Sequence, residues 1–391
     1  MCKGDPAAMV ARPFTIVQML PELDGGGVER GTLELGRYLV QAGHNSLVIS
    51  QGGRLVDQLK GQGSIHLRYP FVGEKSPRAL PSILRLRRDL IRYRVDILHL
   101  RSRLPAWVGY LAWKSLPVKK RPILVTTFHG FYSVNSYSAV MTRGEKVIAV
   151  SRTIGEHIQA AYGVEKERIV VIHRGVDIDE FDPGKVREGR IAKLRSAWDI
   201  RADAGPVILL PARVTRLKGH DVLFSALGML RDQDWQAVCV GTIDESSHHV
   251  MALRKQLREL GLSGRIRLVD HCQDMAAALQ LADIVVSASR EPESFGRTVV
   301  EAQAMGRPVI ATAHGGSMET VEHGETGLLV PPGDAASMAA ALKILLADSS
   351  LRQHLGMAGR EQVLKNFTVE RMCSQILALY ESLLVQGPLI R

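Results

Sequence analysis

Two glutamates eight residues apart, Glu293 and Glu301, are the side chains in this sequence best placed to do chemistry together. They stand on either side of a predicted helix start at Ser294 to Gly296, which follows the short apolar run 283–288. Backbone N–H groups at a helix start are unpaired and carry the positive end of the helix dipole, so they favour a phosphate group. The two carboxylates could accept hydrogen bonds from hydroxyls on either side of that phosphate. The stretch therefore predicts a nucleotide-sugar site, with a βα turn bearing two solvated glutamates as the alternative.

Two basic residues, Arg213 and Lys218, follow another predicted strand at 206–210. Gly219 comes directly after them and permits a turn. An arginine can hold a diphosphate through a bidentate fork and a lysine can act as a point charge, so the pair suits an anionic ligand at a strand end. Taken together with the two glutamates, these cations indicate a diphosphate site in the second half of the chain.

The first half contains a glycine-rich loop between a predicted strand at 14–20 and a helical pattern. Gly25, Gly26 and Gly27 would let the backbone approach a ligand without side-chain obstruction. Their spacing is not the G-x-G-x-x-G of dinucleotide-binding proteins. A ligand loop and a purely structural tight turn therefore both remain open.

Polar residues also follow two further strands of the first half. Arg101 and Arg103 come after the strand at 96–100, and His129 comes after the strand at 123–128. Because open parallel sheets bind ligands beyond the carboxyl ends of their strands, all three are candidates for a ligand cleft. A structural role for the lone histidine is the alternative.

The net charge of +10 lies entirely in the first half of the 391 residues. Residues 1–185 hold 27 Lys and Arg against 17 Asp and Glu, whereas residues 186–391 hold 23 of each. Such a basic half predicts an anionic partner: a bilayer, a phosphorylated glycolipid or nucleic acid. The arginine-rich amphipathic pattern at 82–94 could lie on an anionic bilayer, or could be a domain helix with a solvated face. Nucleic acid is not favoured, because neither a known motif nor interleaved aromatic residues accompany the charge.

Other features argue against metal, membrane-spanning and secreted classes. No apolar run approaches about 18 residues, and the first residues lack the apolar core of a signal peptide. Cysteines at 2, 239, 272 and 373 have neither paired nor metal-like spacing, which favours a reducing cytoplasm. Asp177 and Asp179 form a short D-x-D sequence without a third ligand nearby, so no metal site is predicted.

Strand and helix patterns alternate twice along the chain, which predicts an α/β protein with two Rossmann-like domains. The predicted boundaries are 1–185 for the first domain, 186–368 for the second and 369–391 for a final helix. The second domain begins near residue 200 with a new strand series, after a charged helical segment.

These residues resemble the retaining glycosyltransferases of family 4, which have the GT-B fold. The resemblance spans most of the chain and is most specific in Arg213 and Lys218, in Glu293 with Glu301, and in the run Gly-Glu-Thr-Gly-Leu-Leu-Val at 324–330. It implies two domains facing across a cleft, with the last helix crossing back to the first domain. Together with the basic first half, it leads us to expect a cytoplasmic enzyme, associated with the inner face of the membrane, that passes a hexosyl or N-acetylhexosaminyl group to an envelope glycan or glycolipid such as a lipopolysaccharide core.

The resemblance implies roles for individual residues. Arg213 and Lys218 would hold the donor diphosphate, Glu293 the donor sugar and Glu301 the ribose, while His129 would lie near the reacting sugar. The implied donor-binding residues are Gly26, Gly27, Ser294, Phe295, Gly296, Arg297, Thr298, Val299 and Glu301. From their positions in the sequence rather than from the resemblance, Arg101, Arg103 and Arg174 are expected on the acceptor side. The donor would be a nucleotide-diphosphate sugar of UDP or GDP type, with no metal and no cofactor.

Two positions depart from the family pattern. Ala212 stands where a glycine usually precedes the first basic residue, and Arg174 stands where an asparagine usually precedes Gly175. Arg174 could therefore alter the acceptor side. An inactive nucleotide-sugar-binding scaffold, and an epimerase or phosphorylase on the same fold, are the alternatives to a transferase.

Overall fold

Seven parallel strands form the sheet of the first of two structural units in the computed structural model, which describes residues 12–386. The first residues and Cys2 lie outside this range. The strand order is β3-β2-β1-β4-β5-β6-β7. The strands are β1 (Thr15–Met19), β2 (Asn45–Ser50), β3 (Ile65–Arg68), β4 (Ile97–Leu100), β5 (Ile123–Phe128), β6 (Lys146–Ala149) and β7 (Ile169–Val171). The central strands are buried on both faces, which explains why they are nearly continuous apolar runs.

Five α-helices connect these strands: α1 (Gly27–Gln41), α2 (Val56–Gly61), α3 (Pro81–Arg92), α4 (Arg103–Lys114) and α5 (Arg152–Tyr162). Each has at least one buried side chain, and the longer helices bury one face. In α3 the buried positions are Ser82, Leu86 and Leu90, at the four-residue spacing of one helix face. The arginines of this helix therefore lie on the remaining surface.

The second unit contains a six-stranded parallel sheet in the order β10-β9-β8-β11-β12-β13. Its strands are β8 (Val207–Pro211), β9 (Gln236–Val240), β10 (Ile266–Val269), β11 (Ile284–Ser287), β12 (Val309–Thr312) and β13 (Leu328–Val330). Its helices are α6 (Glu188–Ala197), α7 (His220–Gly228), α8 (His248–Glu259), α9 (Met275–Leu281), α10 (Arg297–Ala304), α11 (Ser317–Thr320), α12 (Ala335–Ala347) and α13 (Ser349–Asn366). Hydrophobic clusters pack on both faces of this sheet. The predicted α/β class with two Rossmann-like parallel sheets is confirmed.

The last helix, α14 (Val369–Gln386), belongs to the first unit from Glu370 onward. Tyr380 is fully buried, and its hydroxyl lies 2.6 Å from Nδ1 of His99 on β4. The other ring nitrogen of His99 lies 2.6 Å from the hydroxyl of Thr127 on β5. Burial lowers the pKa of His99 well below its ordinary value, so the ring is neutral where it joins the helix to the sheet.

The two units meet in sequence at His173 and Arg174, twelve residues before the predicted boundary at 185. The intervening segment packs in the second unit. Val176 pairs with Thr368 as a parallel bridge, and its N–H donates to the carbonyl of Phe367 at 2.8 Å. Phe181 is buried in a hydrophobic cluster of that unit. Pairing with residues near 368, which no local pattern reveals, therefore determines where this segment belongs.

Candidate functional site

The strand order of the second sheet reverses between β8 and β11, where Ile208 pairs with Ile284 and Leu209 with Val285. Helices leave opposite faces of a sheet at such a point, so a crevice opens beyond the carboxyl ends of the two strands. The loop after β8 carries Lys218 and the loop after β11 carries Glu293. The topology therefore brings together the basic and acidic groups that the sequence separates by 75 residues.

Gly219 allows these two loops to pack closely. It adopts a left-handed conformation with φ 67°, and a Cβ at this position would overlap the carbonyl oxygen of Ala288. The N–H of Arg290 donates to the carbonyl of Leu217 at 2.8 Å, which adds a backbone bond between the loops. The position of Lys218 is thus determined by a glycine and by main-chain contacts.

Lys218 and Glu293 form an ion pair between Nζ and Oε1. The hydroxyl of Ser289 donates to the same carboxylate oxygen at 2.5 Å. The Lys218 and Glu293 side chains are 26% and 22% exposed, so both remain reachable from solvent. A phosphate entering this site would find a preformed cation, and donor hydroxyls would find a carboxylate whose orientation is already fixed.

A cavity of about 230 Å³ opens at this pair. Its lining residues are Leu210, Pro211, Ala212, Arg213, Lys218, Val286, Ser287, Ala288, Ser289, Glu293 and Thr298. Arg213 is exposed and, within residues 12–386, its side chain makes no hydrogen bond or ion pair. Two cations, one acid and Thr298 of the first turn of α10 thus line one cavity.

The helix α10 begins after Gly296, which has φ 86° and provides no side-chain cap. The N–H of Val299 is bonded to the carbonyl of Gly296 at 3.0 Å, and the N–H of Val300 is bonded to the same carbonyl at 3.4 Å with the i to i−4 spacing of an α-helix. The side chains of Phe295 and Val299 are buried in the core. Because the N–H of Val299 is already bonded, backbone contact with phosphate is left to the residues before it and stays a prediction.

Glu301 lies on the second turn of α10, where its Oε1 is 2.8 Å from Nε of Arg297. The Glu301 side chain is 12% exposed, which makes it the more buried of the two predicted acids. The sequence predicts that the backbone of Arg297 contacts the donor. Its side chain also orients Glu301, the acid predicted to hold ribose.

Two glycines that the sequence analysis left without a role support Glu293. A Cβ on Gly315 would overlap the carbonyl oxygen of Glu293, and a Cβ on Gly316 would overlap Phe295. The N–H of Gly316 donates to the carbonyl of Glu293 at 2.7 Å. The pair of adjacent glycines after β12 was a sequence signal that could have revealed this contact. Ser289 carried no such signal.

His220, the first residue of α7, is buried beside the Lys218 loop. Burial lowers its pKa to about 4, and the neighbouring His249 and Lys218 act in the same direction. The His220 ring is therefore neutral at pH 7 and belongs to the interior rather than to the ligand-binding surface.

The first unit holds the remaining predicted residues. Gly26 precedes α1 with φ 141°, where a Cβ would lie 2.6 Å from a carboxylate oxygen of Glu29, and Gly27 is the first helical residue. The start of α1 has no side-chain cap, so it presents N–H donors as the ligand-loop prediction supposes. His129 directly follows β5 and is half-buried, and its backbone N–H lies 3.4 Å from the Tyr132 hydroxyl.

The three arginines predicted on the acceptor side occupy different environments. Arg101 is 4% exposed and donates to Gln18 at 2.9 Å, and burial lowers its pKa. This interior position differs from the predicted acceptor-side position, because the guanidinium lies against Gln18 of β1 and Gly31 of α1, where a Cβ would be 3.2 Å from Nη2. Arg103 is partly exposed and lies over the rings of Tyr132 and Tyr137, at 4.8 and 5.5 Å. Arg174 is half-buried at the start of the second unit.

Within residues 12–386, no three His, Cys, Asp or Glu side chains are grouped closely enough to bind a metal ion. The same part of the chain contains no helix with the length and apolar character needed to cross a membrane.

The fold defines an α/β protein of two parallel-sheet units, with a basic and an acidic side chain paired at the carboxyl edge of its second sheet. The family model described as Glycosyltransferase Family 4 matches residues 25–180, and the one described as Glycosyl transferases group 1 matches residues 196–362. A solved glycosyltransferase from Rickettsia africae ESF-5 is 35% identical, with a TM-score of 0.87 over 96% of this chain and 99% of that one. The chain belongs to the glycosyltransferases with the GT-B fold.

One further sequence relative and one further solved structure are similar to this chain. The D-inositol 3-phosphate glycosyltransferase of Jonesia denitrificans is 32% identical over 249 residues, which are 62% of this chain and 58% of that relative's length. The match therefore spans less than two thirds of that protein. The structure of Anabaena HepE in complex with UDP and glucose is 24% identical, with a TM-score of 0.80 over 95% of this chain and 100% of that one, and shows the same fold.

Proposed function

We propose that this protein transfers a hexosyl or N-acetylhexosaminyl group from a UDP- or GDP-type nucleotide sugar to an anionic envelope glycan or glycolipid. The observation that carries the proposal is the meeting of Lys218 and Glu293 at the switch point of the second sheet, beside the start of α10. Such a site offers positive groups for a diphosphate and an acceptor of hydrogen bonds for a sugar.

Transfer would break the bond between the anomeric carbon and the diphosphate oxygen. The bonding electrons leave with the diphosphate, whose new charge Arg213, Lys218 and the α10 start would stabilise. The acceptor hydroxyl oxygen then bonds to the anomeric carbon and its proton passes to the departing phosphate oxygen, so no protein base is required. Attack on the same face retains the anomeric configuration, and no metal is needed because the protein supplies the positive charge. Glu293 would orient the sugar through its hydroxyls.

Cations without acidic partners support an anionic acceptor. Lys75 lies 4.9 Å and Arg103 lies 5.5 Å from the centre of the Tyr137 ring. Within the described residues neither cation pairs with a carboxylate. The aromatic ring attracts both cations but does not neutralise them, so a phosphate or carboxylate could bind to them through charge-assisted hydrogen bonds. A phosphorylated lipopolysaccharide core is an acceptor of this kind, and the Jonesia relative is named for a smaller phosphorylated acceptor.

The exposed face of α3 supports contact with an anionic membrane. Leu84 on the second turn and Ile91 on the last turn are 65% and 44% exposed, and Leu80 directly before the helix is 59% exposed. Leu80, Leu84 and Ile91 recur at helical spacing, and the exposed Arg87 occupies the intervening position on the same stripe. Apolar side chains flanked by arginines are the composition of a helix that lies in a lipid headgroup region.

The transferase proposal is tested by incubating the purified protein with candidate nucleotide sugars and separating transfer from donor hydrolysis. We expect one donor to be consumed, with both reactions lost in Lys218→Ala and the product retaining its anomeric configuration by NMR. Lys255→Ala, at an exposed ion pair on α8, is the matched control and should retain activity. A folded protein that binds a nucleotide sugar but never consumes one would instead be a scaffold.

The acceptor proposal needs a variant that spares the donor site. In Lys75→Ala with Arg103→Ala we expect donor hydrolysis to persist while transfer to phosphorylated acceptors falls at least tenfold. Comparing D-inositol 3-phosphate with a lipopolysaccharide core distinguishes a small acceptor from a glycolipid. Equal loss with a neutral and a phosphorylated acceptor would contradict recognition of an anionic group.

Membrane contact is measured by flotation with vesicles containing anionic or neutral lipid. Leu84→Gln with Ile91→Gln should weaken binding to anionic vesicles, whereas Met251→Gln, an exposed apolar residue on α8, should not. Absence of wild-type binding at low salt would remove this part of the proposal.

A further inference from the structure

A second cavity of about 310 Å³ lies behind the Lys218 and Glu293 loops and is lined by Arg216, Asp221, His249 and Arg290. It shares no lining residue with the cavity at the ion pair. Arg216 comes from the loop after β8, Arg290 from the loop after β11, and the other two from the first turns of α7 and α8. It is therefore a separate site that none of the sequence motifs predicted.

The charges in this second cavity do not balance. Arg290 pairs with Asp221, with Nε 3.3 Å from Oδ1 and a second contact to Oδ2. Arg216 is exposed and, within residues 12–386, its side chain has neither a hydrogen bond nor an ion pair. Two guanidinium groups thus face one carboxylate, and an excess positive charge remains in the concavity.

The surrounding helices add to that charge. Asp221 is the second residue of α7 and His249 the second of α8, so the cavity lies at the N-terminal ends of two helices of nine and twelve residues. The start of α7 has no side-chain cap, whereas the Ser247 hydroxyl caps α8 by accepting from the N–H of His249 at 3.3 Å. Helix N-termini carry partial positive charge, and guanidinium forks bind oxyanions through paired N–H donors. A concave surface that combines the uncapped start of α7 with the guanidinium of Arg216 is suited to a small multiply charged oxyanion.

We infer that this second cavity is an anion site for a phosphate group, distinct from the donor diphosphate site. Arg216 lies two residues before Lys218, and Arg290 lies three residues before Glu293. A phosphate held by both arginines joins the two loops that carry the ion pair. The site therefore links the availability of phosphate to the arrangement of the donor-binding groups.

The test is isothermal titration calorimetry with inorganic phosphate at constant ionic strength. Because the donor site also attracts phosphate, it is first disabled by Arg213→Ala with Lys218→Ala. We expect phosphate binding to remain in that protein and to weaken at least tenfold when Arg216→Ala is added. Arg258→Ala, an exposed arginine further along α8, is the control and should change nothing.

A second measurement protects against misfolding of the triple variant. Phosphorus NMR of the wild-type protein, saturated with the nucleoside diphosphate that binds the donor site, should show phosphate exchange that Arg216→Ala alone removes. Loss of all phosphate binding when the donor site is disabled or filled, or binding unaffected by Arg216→Ala, would overturn the inference.

Discussion

Gly219 packs its Cα against the carbonyl oxygen of Ala288, and a Cβ at position 219 would overlap that oxygen. The two residues belong to the loops that present Lys218 and Glu293. Close packing of two backbones therefore sets the geometry of the ion pair.

Gly219→Ala should consequently disturb both stability and ligand binding. The left-handed backbone and the steric overlap together should lower the free energy of unfolding by about 2–4 kcal/mol. Nucleotide binding should weaken because the loops must separate. Urea unfolding and calorimetry measure the two effects. Gly264→Ala is the matched control, since a Cβ there would meet nothing within 4 Å.

Lys218 should act on the leaving group more than on the free donor. We expect Lys218→Ala to lower kcat by about 10²–10³-fold, the range seen when one group that stabilises developing negative charge is removed. Glu293→Gln should instead impair sugar-dependent binding and leave binding of the free nucleoside diphosphate largely intact. Steady-state kinetics with the active donor, together with titration of the free diphosphate, separates these roles. Identical defects in both variants would contradict this division.

Glu301 should discriminate between ribose and sugars that lack its hydroxyls. A hydrogen bond to a charged carboxylate contributes about 1.5–3 kcal/mol, so the wild type should prefer a ribonucleoside diphosphate over its 2′,3′-dideoxy analogue by roughly 10–100-fold. Glu301→Gln should reduce that preference, whereas Glu293→Gln should retain it. Competitive calorimetry gives both ratios, and an unchanged preference in Glu301→Gln would assign ribose binding elsewhere.

Acid should destabilise the second unit through His220. Its pKa is about 4 in the folded protein against 6.5 when exposed, so below pH 6.5 the unfolded chain takes up a proton that the folded chain excludes until about pH 4. The free energy of unfolding should therefore fall with pH across this window, by about 1.4 kcal/mol per pH unit from this residue. His220→Gln should flatten the dependence, and the exposed His354→Gln should not. Denaturant unfolding at several pH values provides the measurement.

Local patterns predicted most of the strands, because parallel strands buried on both faces are short apolar runs. The predicted strand at 123–128 coincides with β5. The three-residue strand β13 was not predicted, because three residues are too few to show a periodic pattern. Strands could thus be predicted from the sequence wherever burial on both faces made them apolar runs.

The residues of the candidate donor site could also be chosen from the sequence, because Lys218, Glu293 and Glu301 lie close to strand ends and a helix start. Their roles stay predictions. The contacts that hold these side chains in place could not be predicted. Ser289 and Gly316 act on Glu293 through contacts that depend on how separate loops pack. Arg101 looked like a ligand residue from its position after β4, but its side chain is buried and donates to Gln18 of β1. Sequence spacing identifies candidates, and long-range packing decides which of them remain accessible.

The return of the chain to its first unit also affects the order of synthesis. Residues 174–369 are contiguous and can complete their fold as soon as they leave the ribosome. Most of the first unit is translated earlier. However, its His99 pairs with the hydroxyl of Tyr380, which is translated 281 residues later. Until then its sheet carries a buried polar group without this partner and an apolar surface without α14. The half that is translated first is therefore the half that finishes folding last.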